Sequence, residues 1–106
     1  MAGRWADYMT IAARFDAERT RIQALQIRID SGRHFGAMRA IMRPDVIALL
    51  EGGYTFCTAT RNERGAWQRG AELNIVVVDG ERFIRTRGDQ LSDHLGADSL
   101  DGLPAF

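Results

Sequence analysis

The stretch Leu73–Arg87, LNIVVVDGERFIRTR, constrains the fold more than any other part of the chain. Asp79-Gly80 lies between two apolar runs. Both central residues of a tight type I′ turn need positive φ, and Asp-Gly supplies that at little cost. If these two residues form the loop, the register follows. Val78 faces Glu81, Val77 faces Arg82, Val76 faces Phe83, Ile75 faces Ile84, Asn74 faces Arg85 and Leu73 faces Thr86. Directly opposed residues share a face. One face therefore carries Leu73, Ile75, Val77 and Ile84 as expected core. The other carries Val76 and Phe83, flanked by Glu72, Asn74, Arg85 and Arg87.

The rest of the chain must pack around this hairpin, and 106 residues leave room for one core only. Residues 5–16 alternate as a half-buried strand, with Met9, Ile11, Ala13 and Phe15 on one face and Tyr8, Thr10, Ala12 and Arg14 on the other. Asp16–Arg19 reads as a charged connection. Leu25, Ile27 and Ile29 then oppose Ala24, Gln26, Arg28 and Asp30 in a second strand, which makes another hairpin. Ser31–Met42 is interrupted by Gly32 and Gly36, and Met38, Ile41 and Met42 suggest a helix or a covered crossing segment. Arg43-Pro44-Asp45 opens a short helix, because proline suits the first helical position and an acid favours the positive helix end. Gly52-Gly53 stops it. Tyr54–Arg61 returns to strand, 62–65 turns, and Ala66–Val78 is a long strand in which Gly70 marks a bulge. The expected architecture is an α+β domain of order β-β-α-β-β-β. Its sheet is expected to be a twisted five-stranded antiparallel sheet or partly closed barrel with one short helix packed on it. The tail Gly88–Phe106 is expected to dock through Leu100, Leu103 and Phe106.

Composition narrows function mostly by exclusion. Fourteen basic and fourteen acidic residues cancel, which removes the global electrostatic case for a nucleic-acid or membrane partner. Every basic residue is arginine. The single Cys57 forbids an intrachain disulfide and fits a reducing compartment, and no run approaches membrane-spanning length, so a cytoplasmic protein is expected.

Two histidines and one cysteine are the whole stock of strong nucleophile, base and soft ligand. A Cys57–His34 or Cys57–His94 pair is a thinkable nucleophile and base, but nothing in the spacing supports it, and Cys57 sits mid-strand where a buried inert thiol is ordinary. Asp89, Asp93, His94, Asp98 and Asp101 crowd the tail, but without calcium-loop or His-x-x-x-His spacing they read as a solvated acidic loop. No catalytic residue, cofactor or metal is expected. What remains is binding. Trp67, Arg69, Phe83, Arg85 and Arg87 interleave arginines with aromatic rings, a pattern that can stack bases and hold phosphates. Tyr8 and the Phe83–Val76 pair could instead form an apolar patch, and sheet edges can take up a partner strand. The expectation is a non-catalytic module for protein–protein interaction, with itself or with a partner that it could inhibit or regulate. Nucleic-acid binding through an Arg/aromatic sheet face is the alternative.

Several of these pieces together resemble the DUF3892 family of small bacterial proteins of unknown function. They are Ala6-Asp7-Tyr8, Gly53-Tyr54-Thr55-Phe56, Gly65-Ala66-Trp67-Gln68-Arg69-Gly70, Asp79–Thr86 and the ending Leu100–Phe106. The similarity departs at Phe35–Met42. It implies a compact bacterial single domain and no particular activity.

Overall fold

The computed structural model describes residues 5–18, 20–32, 35–86, 98, 100 and 103–106. Strands β1 (Tyr8–Phe15), β2 (Ile22–Asp30) and β3 (Phe35–Met42) precede helix α1 (Arg43–Glu51), and β4 (Phe56–Arg61), β5 (Trp67–Val78) and β6 (Glu81–Thr86) follow it. The α+β class and the single short helix are as expected. The sheet differs: it has six strands in the order β3-β2-β1-β4-β5-β6.

The sheet is mixed, not antiparallel, because α1 lies between two three-stranded meanders. A helical crossover carries the chain back to the end of the sheet where it began. Accordingly β4 lies parallel to β1, with Tyr8 opposite Phe56 and Thr10 opposite Thr58, while every other strand pair is antiparallel.

The sixth strand is β3, inside the segment read as helix or crossing segment. Met38, Ile41 and Met42 follow helical spacing, yet they lie in a strand paired from Ala24↔Met42 to Asp30↔Phe35. As an outermost strand it exposes most of its side chains. Without a buried face, it carries no alternation to read.

The β5–β6 hairpin has the expected register at all six pairs, from Leu73↔Thr86 to Val78↔Glu81. Its loop is set by positive φ at both Asp79 (51°) and Gly80 (79°). Burial follows the expectation less closely. Val77, expected in the core, is 62% exposed, whereas β6 from Phe83 to Thr86 is buried on both faces.

β1 departs from simple alternation for a definite reason. Between Thr10 and Ala12 the register slips by one residue against β2, which leaves Ile11 as the extra residue. A slip of one residue sends every later side chain to the opposite face. Met9 and Ile11 therefore belong to one cluster, with Ala6, Cys57, Ala59, Trp5 and Trp67. Ala13 and Phe15 join Tyr8 in the larger one, built on Ile22, Leu25, Ile27, Val46, Phe56, Leu73 and Ile84.

A further bulge lies where Gly70 predicts it. β4 and β5 slip between Cys57↔Glu72 and Ala59↔Arg69, and Ala71 N–H donates to Thr58 Oγ1 across the gap. A Cβ at Gly70 would stand 1.9 Å from Thr58 Oγ1, so only glycine fits this approach.

Leu100 enters the larger core, Leu103 packs against it, and Phe106 lies under the Arg14 guanidinium at 4.6 Å.

Candidate functional site

A sheet of this kind ends in rows of backbone groups that need partners. At the β6 end those partners are supplied by the chain itself. Asp98 is buried, and its Oδ1 accepts the N–H of Ile84 on β6 (2.8 Å) while its Oδ2 accepts the N–H of Ile22 at the start of β2 (2.7 Å). Arg43, the first residue of α1, donates to Asp98 Oδ1 (3.2 Å) and to the Arg82 carbonyl (2.7 Å). Arg21 adds an ion pair to Glu81 and stacks on Phe83 at 4.5 Å. One carboxylate and one guanidinium thus fasten β6 to the far hairpin. Burial pushes the Asp98 carboxyl above its ordinary range, against the pull of the two backbone N–H donors and the guanidinium of Arg43. Asp98, expected in a solvated acidic loop, is therefore an internal clamp. Asp89, Asp93, His94 and Asp101 lie outside the described residues.

A gap inside the sheet is filled in the same way. β1 pairs β4 only over Tyr8–Thr10, and beyond it Ala13 N–H donates to the Pro104 carbonyl (2.9 Å) with a bridge to Ala105.

β3 is different. Among the described residues, its backbone pairs with β2 on one side, and no backbone partner lies along the other. Its sequence from Phe35 to Met42 holds one charge, Arg39, and no proline. Met38 is 50% and Met42 56% exposed. Natural edges are commonly blunted by several charges, a proline or a strong twist; Arg39 is the only such feature in this strand.

Beside this edge runs a groove of about 350 Å3 between β3 and α1. Tyr8, Ile27, Ile29, Ile41 and Leu49 give it an apolar floor and wall, and Arg39 and Asp45 give it one charge of each sign. Tyr8 is held there by a tilted stack on Phe56 (4.9 Å between centroids) and by Tyr54 at 6.1 Å. An unpaired edge next to an apolar groove can bind an extended chain. The backbone ladder supplies affinity, and the groove receives alternate side chains.

Of the residues singled out from sequence, Tyr8 is in this groove. The Arg/aromatic set does not assemble into one exposed face. Phe83 is buried under Arg21, and Arg85 is 0% exposed, so neither can meet a ligand at the surface. Arg87 lies outside the described residues. Trp67 and Arg69 stand on the β4-paired half of β5, opposite Arg61 and Ala59. There Trp67 has found other arginines: Arg61 stacks on it at 4.5 Å and Arg28 approaches at 5.8 Å. Arg28 was not legible as a partner of Trp67, because β3, α1 and β4 separate its strand from β5, whereas Arg61 lies just before the turn into β5 and is paired with Trp67 by the β4–β5 hairpin itself.

Cys57 is buried against Met9, with Sγ 3.7 Å from Sδ, and burial raises its thiol further above the range in which a thiolate forms. His34 and His94 lie outside the described residues, and among the described residues no group of three or more metal-type ligands converges. Nor, among them, is any helix long and apolar enough to cross a membrane. No family model matches this chain, and neither the curated proteins nor the solved structures contain a match to it.

Proposed function

We propose that this chain is a non-catalytic protein-binding module that takes up an extended strand along β3 and seats its side chains in the groove beside α1. The observation that carries this reading is the contrast between sheet edges. The chain spends Asp98, Arg43 and Pro104 on β6 and β1, whereas β3, whose Gly36 carbonyl accepts from Arg28 Nη1 (3.2 Å), has among the described residues no backbone partner beyond β2. Kinship with the DUF3892 proteins and a cytoplasmic setting belong to the same proposal.

The test is a comparative capture from nuclease-treated bacterial lysate, run with the wild type and with the Met38→Lys/Ala40→Lys variant. Both positions are exposed on the edge, so the variant keeps its fold while adding the charges that blunt edges. Retention of a protein, this one included, by the wild type alone and at high salt is the expected result. Equal retention by both baits would remove the reading.

One observation favours nucleic-acid binding as a second reading: Trp67 with Arg61 and Arg28 over its ring, and Arg69 further along the same strand. This predicts single-strand oligonucleotide binding that weakens steeply with salt and is lost in Trp67→Ala. Binding unaffected by either change would dismiss it.

A further inference from the structure

The edge of β3 also constrains its partner, on the reading that the chain binds by strand addition. We infer that the occupant is a second copy of this chain, paired β3 to β3 about a two-fold axis through Met38.

The argument begins with symmetry. Two identical antiparallel strands in one continuous sheet are related by an axis perpendicular to it. Directly opposed residues must then point to the same face. Their numbers therefore differ by an even amount, and the axis passes beside a residue that faces its own mate. For a strand of eight residues, Phe35–Met42, only axes at Met38 or Arg39 keep seven residues in the ladder. An axis at Arg39 sets two guanidiniums directly opposite one another, about 5 Å apart at Cβ, and like charges so placed repel. An axis at Met38 sets Met38 against Met38, Arg39 against Ala37, Ala40 against Gly36 and Ile41 against Phe35. The lone charge of the strand then faces a small neutral residue, and an exposed methionine side chain is covered by its own copy.

A second copy also meets the electrostatic requirement. The formal charges of the chain sum to zero, so two copies approach without net repulsion. The interface is isologous and closes at two copies, because the described residues of each chain offer one such edge while β6 is held by Asp98 and Arg43.

Cysteine scanning of the full chain tests both partner and register. Cys57, the single native thiol, is buried and does not compete. Light scattering across a concentration series should show a dimer that Met38→Lys abolishes. Under mild oxidation Met38→Cys should give a covalent dimer. Ala40→Cys should not, because residue 40 and its mate stand about 13 Å apart in this register. A dimer that cross-links through Ala40→Cys, or through neither variant, overturns the register. A chain that stays monomeric throughout the series overturns the second copy as occupant. In that outcome the lysate comparison still decides, separately, whether β3 binds another protein.

Discussion

The two ends of the sheet solve the same problem in opposite ways. At β6 the outward Ile84 N–H and Arg82 carbonyl are bonded by the side chains of Asp98 and Arg43. At β3 the described residues provide no backbone partner for the outer edge, and the strand carries one charge in eight residues. On the proposed reading, the pairing at β6 belongs to folding and the edge at β3 is left for association. The β6 clamp is buried and joins elements far apart in sequence. Removing it should cost stability, whereas altering β3 should cost binding.

The largest effect is expected from Asp98→Ala. Without the carboxylate, two buried backbone N–H groups and the Arg43 guanidinium lose their acceptor, and breaking a buried pair in this way costs about 3–5 kcal/mol. Against the roughly 5–15 kcal/mol that hold such a domain together, that is a large share. Denaturant titration measures it. The same group predicts a pH signature. Burial raises the folded-state carboxyl above the ordinary aspartate value of 3.8, so the folded chain holds this proton more tightly than the unfolded one. The contribution of Asp98 is thus greatest below the ordinary value and declines as pH rises through the raised one. The stability gap between the wild type and Asp98→Asn, which cannot titrate, should accordingly be wider in mild acid than at neutrality.

Arg43→Met should make the β6 edge more like β3. It keeps an unbranched apolar stem at the first position of α1 and deletes the donor to the Arg82 carbonyl and to Asp98. A loss of about 1–3 kcal/mol is expected for the unmet acceptors, together with faster amide exchange along Glu81–Thr86. If exchange in β6 were unchanged, Arg43 would not be what closes that edge.

These two residues also mark where sequence reading stops. The register of β5–β6 could be read because turn chemistry fixes it locally: Asp79 and Gly80 decide six cross-strand pairs. The helix could be read from Pro44 and Gly52 for the same reason. Asp98 could not, because it acts on Ile22, 76 residues away, and its neighbours in sequence give it the look of a polar tail. β3 failed for the complementary reason, since a strand with little to bury has no pattern to show. Of the candidate site, Tyr8, expected from sequence to bind, lines the groove, but the sequence did not point to the β3 edge beside it. Phe83 and Arg85 were misplaced because the hairpin register says which residues share a face and not what covers it.

Substitution on β3 should separate stability from association. Met38→Lys changes an exposed side chain, so its effect on unfolding should stay within about 0.5 kcal/mol. Association should fall in the same variant, because the added charge sits on the unpaired edge. Equal losses in both measurements would mean that β3 is part of the folding unit, and the distinction between the two ends would collapse.

The smallest effect tests whether the β6 end is closed by buried or by exposed charge. Arg82 also pairs with Glu51 at the end of α1, but both side chains are about half exposed. Holding two long side chains in one geometry costs entropy, and water screens what attraction remains, so such pairs contribute about 0–1 kcal/mol. Glu51→Gln should therefore shift the denaturation midpoint slightly, and added salt should narrow the difference further. Asp98→Ala should keep most of its deficit in salt, because the carboxyl is buried and its partner Arg43 is largely so. If Glu51→Gln instead matched Asp98→Ala, closure would rest on the surface of the helix–hairpin junction, and the internal carboxylate would be only one of several fasteners.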